Sequence, residues 1–501
     1  MVEPRPESGG PDLEKVTSGV RGLNDVLGGG YPAFRVHLIE GAPGVGKTTL
    51  ALQFLIDGAR RGEPVLYVTL SETSEELHAV ARSHGWTLDG IELFELAPTA
   101  EALEPEAQYT IVDPAEVELG ERTWEVLQEV ERVRPTRVVI DSLAELELLA
   151  RDPLRYRRQI LGLKHFFAGR RCTVLLLDKG DRTTSGLESV AHGVIQLEQL
   201  APDYGGERRR LRVTKLRSTR YRGGYHDYVI QTGGIVVFPR LVALEHRAGL
   251  APESLSSGLA QLDQLLGGGM DRGTSGLLVG PAGIGKSILA GHWANTAAAR
   301  GENAAIYLFD EGIETYLQRS DGIGLALRDH VAAHRVVLRQ LDPAELSPGE
   351  FNHVLREAVE HDGARVVIID SLNGYLNAMA EERAVLVQLH ELLSYLNQTG
   401  VLTLLTLALH GLIGPGTRAP LDVSYLADTV VLLRYFEAVG EFRRAISVVK
   451  KRTGAHESSI RELRLSRPIV VGEPLREFRG VLTDAPAYIG PSRELLDQVG
   501  E

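Results

Sequence analysis

The feature that most constrains this 501-residue chain is a short glycine-rich sequence that it contains twice. Residues 41–50 read GAPGVGKTTL, and residues 280–289 read GPAGIGKSIL. Both fit the pattern G-x-x-x-x-G-K-[ST], in which glycines let backbone N–H groups point at phosphate oxygens just before a helix begins. An apolar stretch precedes each copy, and apolar residues at helical spacing follow it. The chain is therefore expected to bind nucleotide phosphates at two places.

The repetition extends beyond these two loops. TSGVRGLNDVLGGG at 17–30 corresponds to SSGLAQLDQLLGGG at 256–269, and RVVIDSL at 137–143 corresponds to RVVIIDSL at 365–372. The chain is too long for one hydrophobic core, so two tandem copies of one domain are expected, joined near 241–255. We predict a disordered leader over 1–14, a first domain over 15–245, a second domain over 246–470 and a tail over 471–501. The first copy is longer between its second and third strands, where 101–116 should form an acidic surface loop.

Several short stretches are apolar throughout rather than alternating, among them RVVI, TVLLL, RVVIID and VLTLLTLAL. Strands that are apolar on both faces are typical of a parallel sheet covered by helices on both sides. Each copy is therefore predicted to be an α/β domain with a mostly parallel sheet and right-handed crossovers.

Composition excludes several other classes of protein. The formal net charge of −13 argues against a dedicated duplex nucleic-acid binder. Cys172 is the only cysteine, which excludes an intramolecular disulfide and a multi-cysteine metal site. No uninterrupted apolar stretch reaches the ~18 residues of a membrane span, and the proline- and acid-rich N-terminus does not fit a signal peptide. We expect a cytoplasmic protein without a membrane partner.

The loop residues predict ATP and Mg²⁺ as ligands. The lysine of each loop should reach the β- and γ-phosphates, and the next hydroxyl should contact Mg²⁺. An aspartate at the end of a later apolar strand is the expected second contact to the metal. The predicted nucleotide-binding residues are Gly41, Gly44, Val45, Gly46, Lys47, Thr48, Thr49, Gly280, Gly283, Ile284, Gly285, Lys286, Ser287 and Ile288. The predicted metal contacts are Thr48, Asp141, Ser287 and Asp370.

Hydrolysis also needs a group that orients water. The strand after each loop helix is followed by Ser71-Glu72 in the first copy and by Asp310-Glu311 in the second. We predict Glu72, Asp310 and Glu311 as catalytic carboxylates. The alternative is helix capping, which fits Glu76 better than Glu72 because Thr73-x-x-Glu76 has the pattern of a capping box.

With these motifs in place, the chain resembles the KaiC circadian-clock ATPases of the RecA superfamily, over about residues 15 to 465. VTKLRS at 213–218, DTVVLLRYFE at 428–437 and RRAISVVKKR at 443–452 carry the resemblance together with the paired loops. It implies two tandem RecA-like P-loop domains, ATP hydrolysis, a homo-hexamer with ATP between subunits, and a KaiB-like protein or a histidine kinase as signalling partner. It also implies that a Lys-x-Arg strand reaches the neighbouring subunit's nucleotide: Lys215 with Arg217, and Lys450 with Arg452. The i, i+2 spacing allows this, because it puts both charges on one face of a strand; the alternative is an exposed cationic strand edge.

The chain departs from the family at two places. The family usually has two adjacent glutamates where this chain has Ser71-Glu72 and Asp310-Glu311. The family's second domain accepts phosphate on an adjacent serine and threonine, and here VSYLADT keeps Ser424 but has Tyr425 in place of threonine. The resemblance therefore predicts one phosphoacceptor, Ser424, in a KaiC-like signalling ATPase with serine/threonine autokinase activity.

Two other functions remain open at this point. A RecA-class DNA-dependent ATPase would need basic loops with aromatic residues, and GERRRLRVTKLRSTRYRGGYHDY at 206–228 is the candidate. A scaffold that binds ATP only to hold a ring together would show little turnover. DNA-stimulated hydrolysis would favour the first, and bound ATP without phosphate release would favour the second.

Overall fold

The computed structural model describes residues 13–96, 114–150, 152–180, 187–201, 205–243, 253–342, 344–377, 382–409, 424–438, 440–482 and 487–490. The chain forms two compact units, residues 1–240 and 241–501. The division falls a few residues before the predicted one at 245/246, because Leu241 is buried in the core of the second unit. Most of the predicted leader, most of the acidic loop at 101–116 and much of the tail lie outside the described residues.

The described part of the first unit has eleven strands. They are β1 (Lys15–Val16), β2 (Tyr31–Pro32), β3 (Val36–Glu40), β4 (Val65–Thr69), β5 (Ile91–Glu95), β6 (Arg137–Asp141), β7 (Thr173–Asp178), β8 (Gly193–Leu200), β9 (Arg208–Leu216), β10 (His226–Gln231) and β11 (Gly234–Phe238). The helices between them are α1 (Leu23–Val26), α2 (Lys47–Arg60), α3 (Ser74–Ser83), α4 (Pro114–Val133), α5 (Leu143–Ala150), α6 (Pro153–Ala168) and α7 (Leu187–Val190).

The second unit repeats this order. Its strands are β12 (Ser254–Leu255), β13 (Met270–Asp271), β14 (Ser275–Gly280), β15 (Asn303–Leu308), β16 (Val336–Gln340), β17 (Ala364–Asp370), β18 (Leu402–Ala408), β19 (Thr429–Ala438), β20 (Glu441–Lys451), β21 (Arg461–Arg464), β22 (Val470–Pro474), β23 (Phe478–Arg479) and β24 (Ala487–Tyr488). Its helices are α8 (Ala260–Leu265), α9 (Lys286–Ala299), α10 (Ile313–Gly322), α11 (Leu327–Ala332), α12 (Pro348–Glu360), α13 (Leu372–Asn377) and α14 (Glu382–Gln398).

The two large sheets share one topology. In the described residues each has nine strands, in the orders β11-β10-β9-β8-β3-β7-β6-β4-β5 and β16-β15-β17-β18-β14-β19-β20-β21-β22. The strands from β8 to β5 and from β16 to β19 pair in parallel. The strands beyond β8 and β19 pair antiparallel. The predicted α/β class with mostly parallel sheets is confirmed.

The central parallel strands of each sheet are buried on both faces, as their apolar sequences predicted. In the first unit Tyr67 and Val139 pack with α1, α2 and α3, whereas the adjacent residues Leu66 and Val138 pack with α4, α5 and α6. In the second unit Ile368 packs on the side of α9, and Ile369 packs on the side of α12 and α14. No helix in the described parts of the chain has both the length and the apolar composition needed to cross a membrane.

This architecture brings the carboxyl ends of the parallel strands to one edge of each sheet. Thr69, the last residue of β4, pairs with Asp141, the last residue of β6. Leu308 at the end of β15 likewise pairs with Asp370 at the end of β17. In open α/β sheets, ligands bind outside these carboxyl ends. The candidate site of each unit therefore lies at this edge of its sheet, next to the predicted metal-binding aspartate.

Candidate nucleotide-binding sites

The first glycine-rich loop connects β3 to α2, and Lys47 is the first residue of that helix. Its Nζ atom donates hydrogen bonds to the carbonyl oxygens of Gly41 at 2.6 Å and Ala42 at 3.0 Å. Burial lowers the pKa of Lys47, and the carboxylates of Asp141, Asp178 and Glu72 oppose that shift. The ammonium group thus lies across its own loop, within the electrostatic range of three acidic side chains.

The second loop has the same construction between β14 and α9. Lys286 Nζ donates to the carbonyl oxygens of Gly280 at 2.9 Å and Pro281 at 2.8 Å. Burial lowers the pKa of Lys286 to about 8, and the negative charge of Asp370 only partly offsets that effect. The Lys286 ammonium group is therefore partly neutral near pH 8.

Each loop is covered by an apolar side chain from a late strand or the turn after it. Gly46 has φ 97° and Gly285 has φ 112°, a backbone conformation that favours glycine. A Cβ atom at Gly46 would lie 2.7 Å from Cδ1 of Ile230, and one at Gly285 would lie 2.7 Å from Cδ1 of Leu465. In the first unit the hydroxyl of Tyr228 also donates to the carbonyl oxygen of Val45 at 2.7 Å. The loops are therefore closely packed against these late segments of their own units.

The predicted metal contacts of the first unit lie together. The hydroxyl of Thr48, in the first turn of α2, donates to Oδ2 of Asp141 at 3.0 Å. The same Oδ2 atom accepts a second hydrogen bond, 2.6 Å long, from the hydroxyl of Tyr67 on β4. Asp141 is buried. Hydroxyl and carboxylate oxygens are hard ligands of the kind that Mg²⁺ prefers, so this donor set fits the metal.

The second unit holds its strand-end aspartate differently. Asp370 is buried at the end of β17, and its Oδ1 atom accepts a hydrogen bond from the hydroxyl of Thr406 on β18. Ser287 lies in the first turn of α9, and its carbonyl oxygen accepts a 3.4 Å hydrogen bond from the hydroxyl of Tyr316. The aspartate and the serine are again oxygen donors suited to Mg²⁺.

Glu72 lies in the turn between β4 and α3. Its backbone N–H donates to the hydroxyl of Thr69 at 2.9 Å, and that hydroxyl donates to the carbonyl oxygen of Glu72 at 2.6 Å. Burial is the main cause that raises the pKa of Glu72, and the charge of Asp141 adds to it. The Oε2 atom is buried without a hydrogen-bond partner among the described residues. A partly desolvated carboxylate with one unpaired oxygen, in the field of Asp141, is a candidate general base.

Glu76, in contrast, does cap a helix. Thr73 and Glu76 exchange the two hydrogen bonds of a capping box at the start of α3. This assigns helix capping to Glu76 and leaves the side chain of Glu72 available for another role.

The two carboxylates of the second unit are both engaged. Oδ2 of Asp310 accepts a hydrogen bond from the hydroxyl of Ser371. Oε2 of Glu311 pairs with Nη2 of Arg319 at 2.7 Å. Burial raises the pKa of Glu311, and Arg319 counteracts that rise. The second unit thus has one more carboxylate than the first, and Glu311 has a cationic partner.

The four cations predicted to act between subunits occupy equivalent places. Lys215 on β9 pairs with Val194, and Lys450 on β20 pairs with Val430. Arg217 and Arg452 follow these strands directly. The side chains donate to carbonyl oxygens that precede β8 or β19: Lys215 to Glu188 and Ser189, Arg217 to Ser189, Lys450 to Ser424 and Ala427, and Arg452 to Tyr425.

The predicted phosphoacceptor lies in one of these segments. Ser424 is exposed and comes shortly before β19, and Tyr425 beside it is 52% exposed. Asp428 anchors the segment, because its carboxylate accepts from the backbone N–H of Ser275 at 3.0 Å and pairs with Arg452 at 3.4 Å. Glu188 and Ser189 occupy the corresponding positions in the first unit.

Comparison with known proteins decides the family. The family model described as "ATPase: KaiC" matches the chain twice, over residues 16–242 and 255–474. The chain belongs to the KaiC ATPase family. It is 27% identical to "Circadian clock protein KaiC3" of Synechocystis sp. over 96% of both chains. It is 26% identical to "Circadian clock oscillator protein KaiC" of Synechococcus elongatus, over 98% of this chain and 95% of the relative. "Circadian clock protein KaiC2" of Synechocystis sp. is 27% identical over 91% of this chain and 80% of its own length.

The KaiC motifs do not reveal three side chains that the structure brings to these sites. Tyr67 and Thr406 each lie in an apolar strand and were indistinguishable from core residues by pattern. Arg319 lies in the last turn of α10, where a charged residue normally faces solvent. Their hydrogen bonds to Asp141, Asp370 and Glu311 depend on strand order and helix placement, which the sequence pattern does not specify.

Proposed function

We propose that this chain is a KaiC-like signalling ATPase that binds ATP with Mg²⁺ in both units and hydrolyses it. The arrangement in the first unit carries the proposal. Lys47, Asp141 and Glu72 come from three separate segments, yet each shifts the pKa of another. Thr48 contacts Asp141 directly. A loop lysine, a hydroxyl–carboxylate pair and a desolvated carboxylate are the parts that phosphoryl transfer to water requires.

The residues of each unit have separate tasks in this proposal. Thr48 with Asp141, and Ser287 with Asp370, would hold Mg²⁺. Bound there, the metal would neutralise the negative charge that develops on the phosphate oxygens. Lys47 and Lys286 exchange their loop carbonyl contacts for β- and γ-phosphate oxygens. Backbone N–H groups of the loops bind the remaining phosphate oxygens.

Glu72 is the proposed general base of the first unit. It takes a proton from water, the water oxygen bonds to the γ-phosphorus, and the bond from that phosphorus to the β–γ bridging oxygen breaks. ADP and inorganic phosphate leave. Glu311 and Asp310 take this role in the second unit. The ion pair with Arg319 makes Glu311 a weaker base than it would be without that arginine.

The four Lys-x-Arg cations are proposed to reach nucleotide across the interfaces of a homo-hexamer. In the second unit this also brings Ser424 to the partner subunit's ATP. The Ser424 oxygen bonds to the γ-phosphorus, its proton passes to the partner subunit's Glu311 or Asp310, and ADP leaves. We expect the protein to act in the cytoplasm, with a KaiB-like protein or a histidine kinase as partner, since the relatives are clock proteins by name.

The contacts of the basic segment 206–228 weigh against a DNA-dependent ATPase. Arg209 pairs with Glu207 at 2.8 Å and Arg210 pairs with Glu198 at 2.9 Å. The guanidinium of Arg210 lies 3.9 Å from the ring centroid of Tyr225. These arginines and this tyrosine are thus partnered within the unit, whereas a single-strand binder presents such groups to phosphates and bases.

Phosphate release by wild type, Lys47→Ala and Lys286→Ala, with phosphoprotein mass spectrometry on the same samples, tests the proposal. Each substitution should remove nucleotide from its own unit and part of the total turnover. Phosphate on Ser424 should disappear in Lys286→Ala. Stable ATP without phosphate release in wild type would instead support a scaffold role, and hydrolysis that rises with added DNA would support the RecA-class alternative.

A further inference from the structure

We propose that Tyr67 and Thr406 are positioning residues that hold the metal-binding aspartates of the two units, each from a different neighbouring strand. The inference rests on the proposed binding of ATP with Mg²⁺ and extends it to two residues that contact neither ligand. It predicts that each hydroxyl sets the metal affinity of its own unit.

In the first unit the support comes from β4. This strand lies on one side of β6, and β7 lies on the other. Tyr67 is fully buried, and its hydroxyl is 2.6 Å from Oδ2 of Asp141. The same atom accepts from Thr48 at 3.0 Å. Two donors on one oxygen restrict the rotation of the carboxylate group.

In the second unit the support comes from the opposite side. The residue of β15 that corresponds to Tyr67 is Ile306, which has no hydroxyl. Instead Thr406 donates to Oδ1 of Asp370 from β18, the strand that corresponds to β7. Leu177 on β7 is the first-unit counterpart of Thr406. Each unit therefore has one buried hydroxyl on its aspartate where the other unit has an aliphatic side chain.

Chemistry favours a positioning role over simple packing. The hydroxyls of Tyr67 and Thr406 are buried and each donates to a metal-binding carboxylate, whereas packing alone would need no acceptor. Groups that orient metal-binding carboxylates typically change metal affinity by about 10- to 100-fold when removed.

The chain supplies a matched control for each hydroxyl. Tyr31 in the first unit is fully buried, and its hydroxyl has no hydrogen-bond partner among the described residues. Thr403, on the same strand as Thr406, is also buried with its hydroxyl unpartnered within the described parts. Tyr31→Phe and Thr403→Val therefore remove the same atoms without touching an aspartate.

The test uses the full chain with one unit silenced. In a Lys286→Ala background, Mn²⁺ binding in the presence of ADP is titrated by electron paramagnetic resonance for wild-type Tyr67, Tyr67→Phe and Tyr31→Phe. Thr406→Val and Thr403→Val are compared in a Lys47→Ala background. ADP affinity in EDTA and the thermal midpoint are measured on all variants.

We expect the Mn²⁺ dissociation constant to rise about 10-fold or more in Tyr67→Phe and Thr406→Val, and to stay within about twofold in the two controls. ADP affinity in EDTA should not change. An unchanged Mn²⁺ constant in Tyr67→Phe, or an equal rise in Tyr31→Phe, would overturn the positioning role while the proposed function stands. A parent background that binds neither ADP nor Mn²⁺ would overturn both.

Discussion

The Nζ atom of Lys450 lies 2.8 Å from the carbonyl oxygen of Ser424, so a cation proposed to act on a neighbouring nucleotide is attached to the proposed phosphoacceptor's own backbone. Lys215 makes the same contact with Glu188 in the first unit. The strand ends that carry these lysines are thus tied to the segments before β8 and β19. A change at either lysine should affect the segment and the subunit interface together.

Lys450→Met should lower Ser424 phosphorylation at least tenfold and weaken ATP-dependent hexamers, because the segment loses its anchor and the interface loses a charge. Lys215→Met is the matched variant of the first unit and should leave phosphate on Ser424 nearly unchanged. Phosphopeptide quantification and sedimentation velocity with ATP measure both effects. Full phosphorylation in Lys450→Met would contradict this role.

The protein should carry one phosphate in this segment, on serine. Ser424→Ala should remove it, and Tyr425→Phe should retain it, because the Tyr425 ring carries its hydroxyl several ångströms beyond the position of a threonine oxygen. Peptide mapping after incubation with ATP distinguishes the two residues. Phosphotyrosine at 425 in wild type would show that the segment moves more than we expect.

Glu72→Gln should reduce hydrolysis by the first unit at least 100-fold, since removal of a general base typically costs 10²–10⁴-fold. The measurement is steady-state phosphate release in a Lys286→Ala background. Glu76→Gln is the control, because Glu76 caps α3 and should alter stability rather than turnover. Comparable rates for Glu72→Gln and its parent would transfer the role to another group.

Arg319→Met should increase hydrolysis by the second unit severalfold, because it frees Glu311 from an ion pair and restores its basicity. The rate is measured in a Lys47→Ala background. Arg328→Met is a suitable control: Arg328 pairs with Glu314 and Asp321, outside the proposed site. A slower second unit in Arg319→Met would mean that the arginine orients Glu311 for catalysis instead of restraining it.

Nucleotide binding by the second unit should weaken as pH rises. The pKa of Lys286 without nucleotide is about 8, so the lysine is charged at pH 7 and mostly neutral at pH 9. Phosphate binds the charged form, and above pH 8 the affinity for ATP should fall up to about tenfold per pH unit. Equilibrium binding in a Lys47→Ala background measures the slope. Lys286→Arg should bind with little dependence on pH over this range, because guanidinium stays protonated.

The sequence predicted the fold class, and several residues that it singles out lie together at the ends of apolar strands or at helix starts, as Asp141 and Thr48 do. The sequence could not predict which neighbouring side chains hold the site residues in position. Tyr67 and Tyr307 both lie in apolar strands, yet Tyr67 donates to Asp141 and the hydroxyl of Tyr307 has no partner among the described residues. Strand parity and neighbour identity decide this difference, and neither is visible in a local pattern. The ion pair of Glu311 with Arg319 likewise depends on how α10 packs.

The apolar side chains that cover each loop affect when, during synthesis, the protein becomes able to bind nucleotide. The carbonyl of Val45 is supported by Tyr228, far along the chain, and Gly46 lies under Ile230. Contacts of such sequence separation form late, since long loops must close first. A nascent chain in which the first loop and α2 have left the ribosome therefore still lacks Tyr228 and Ile230, which pack against that loop. We therefore expect the first unit to retain nucleotide only after residues 228–230 have been synthesised and have packed onto the loop.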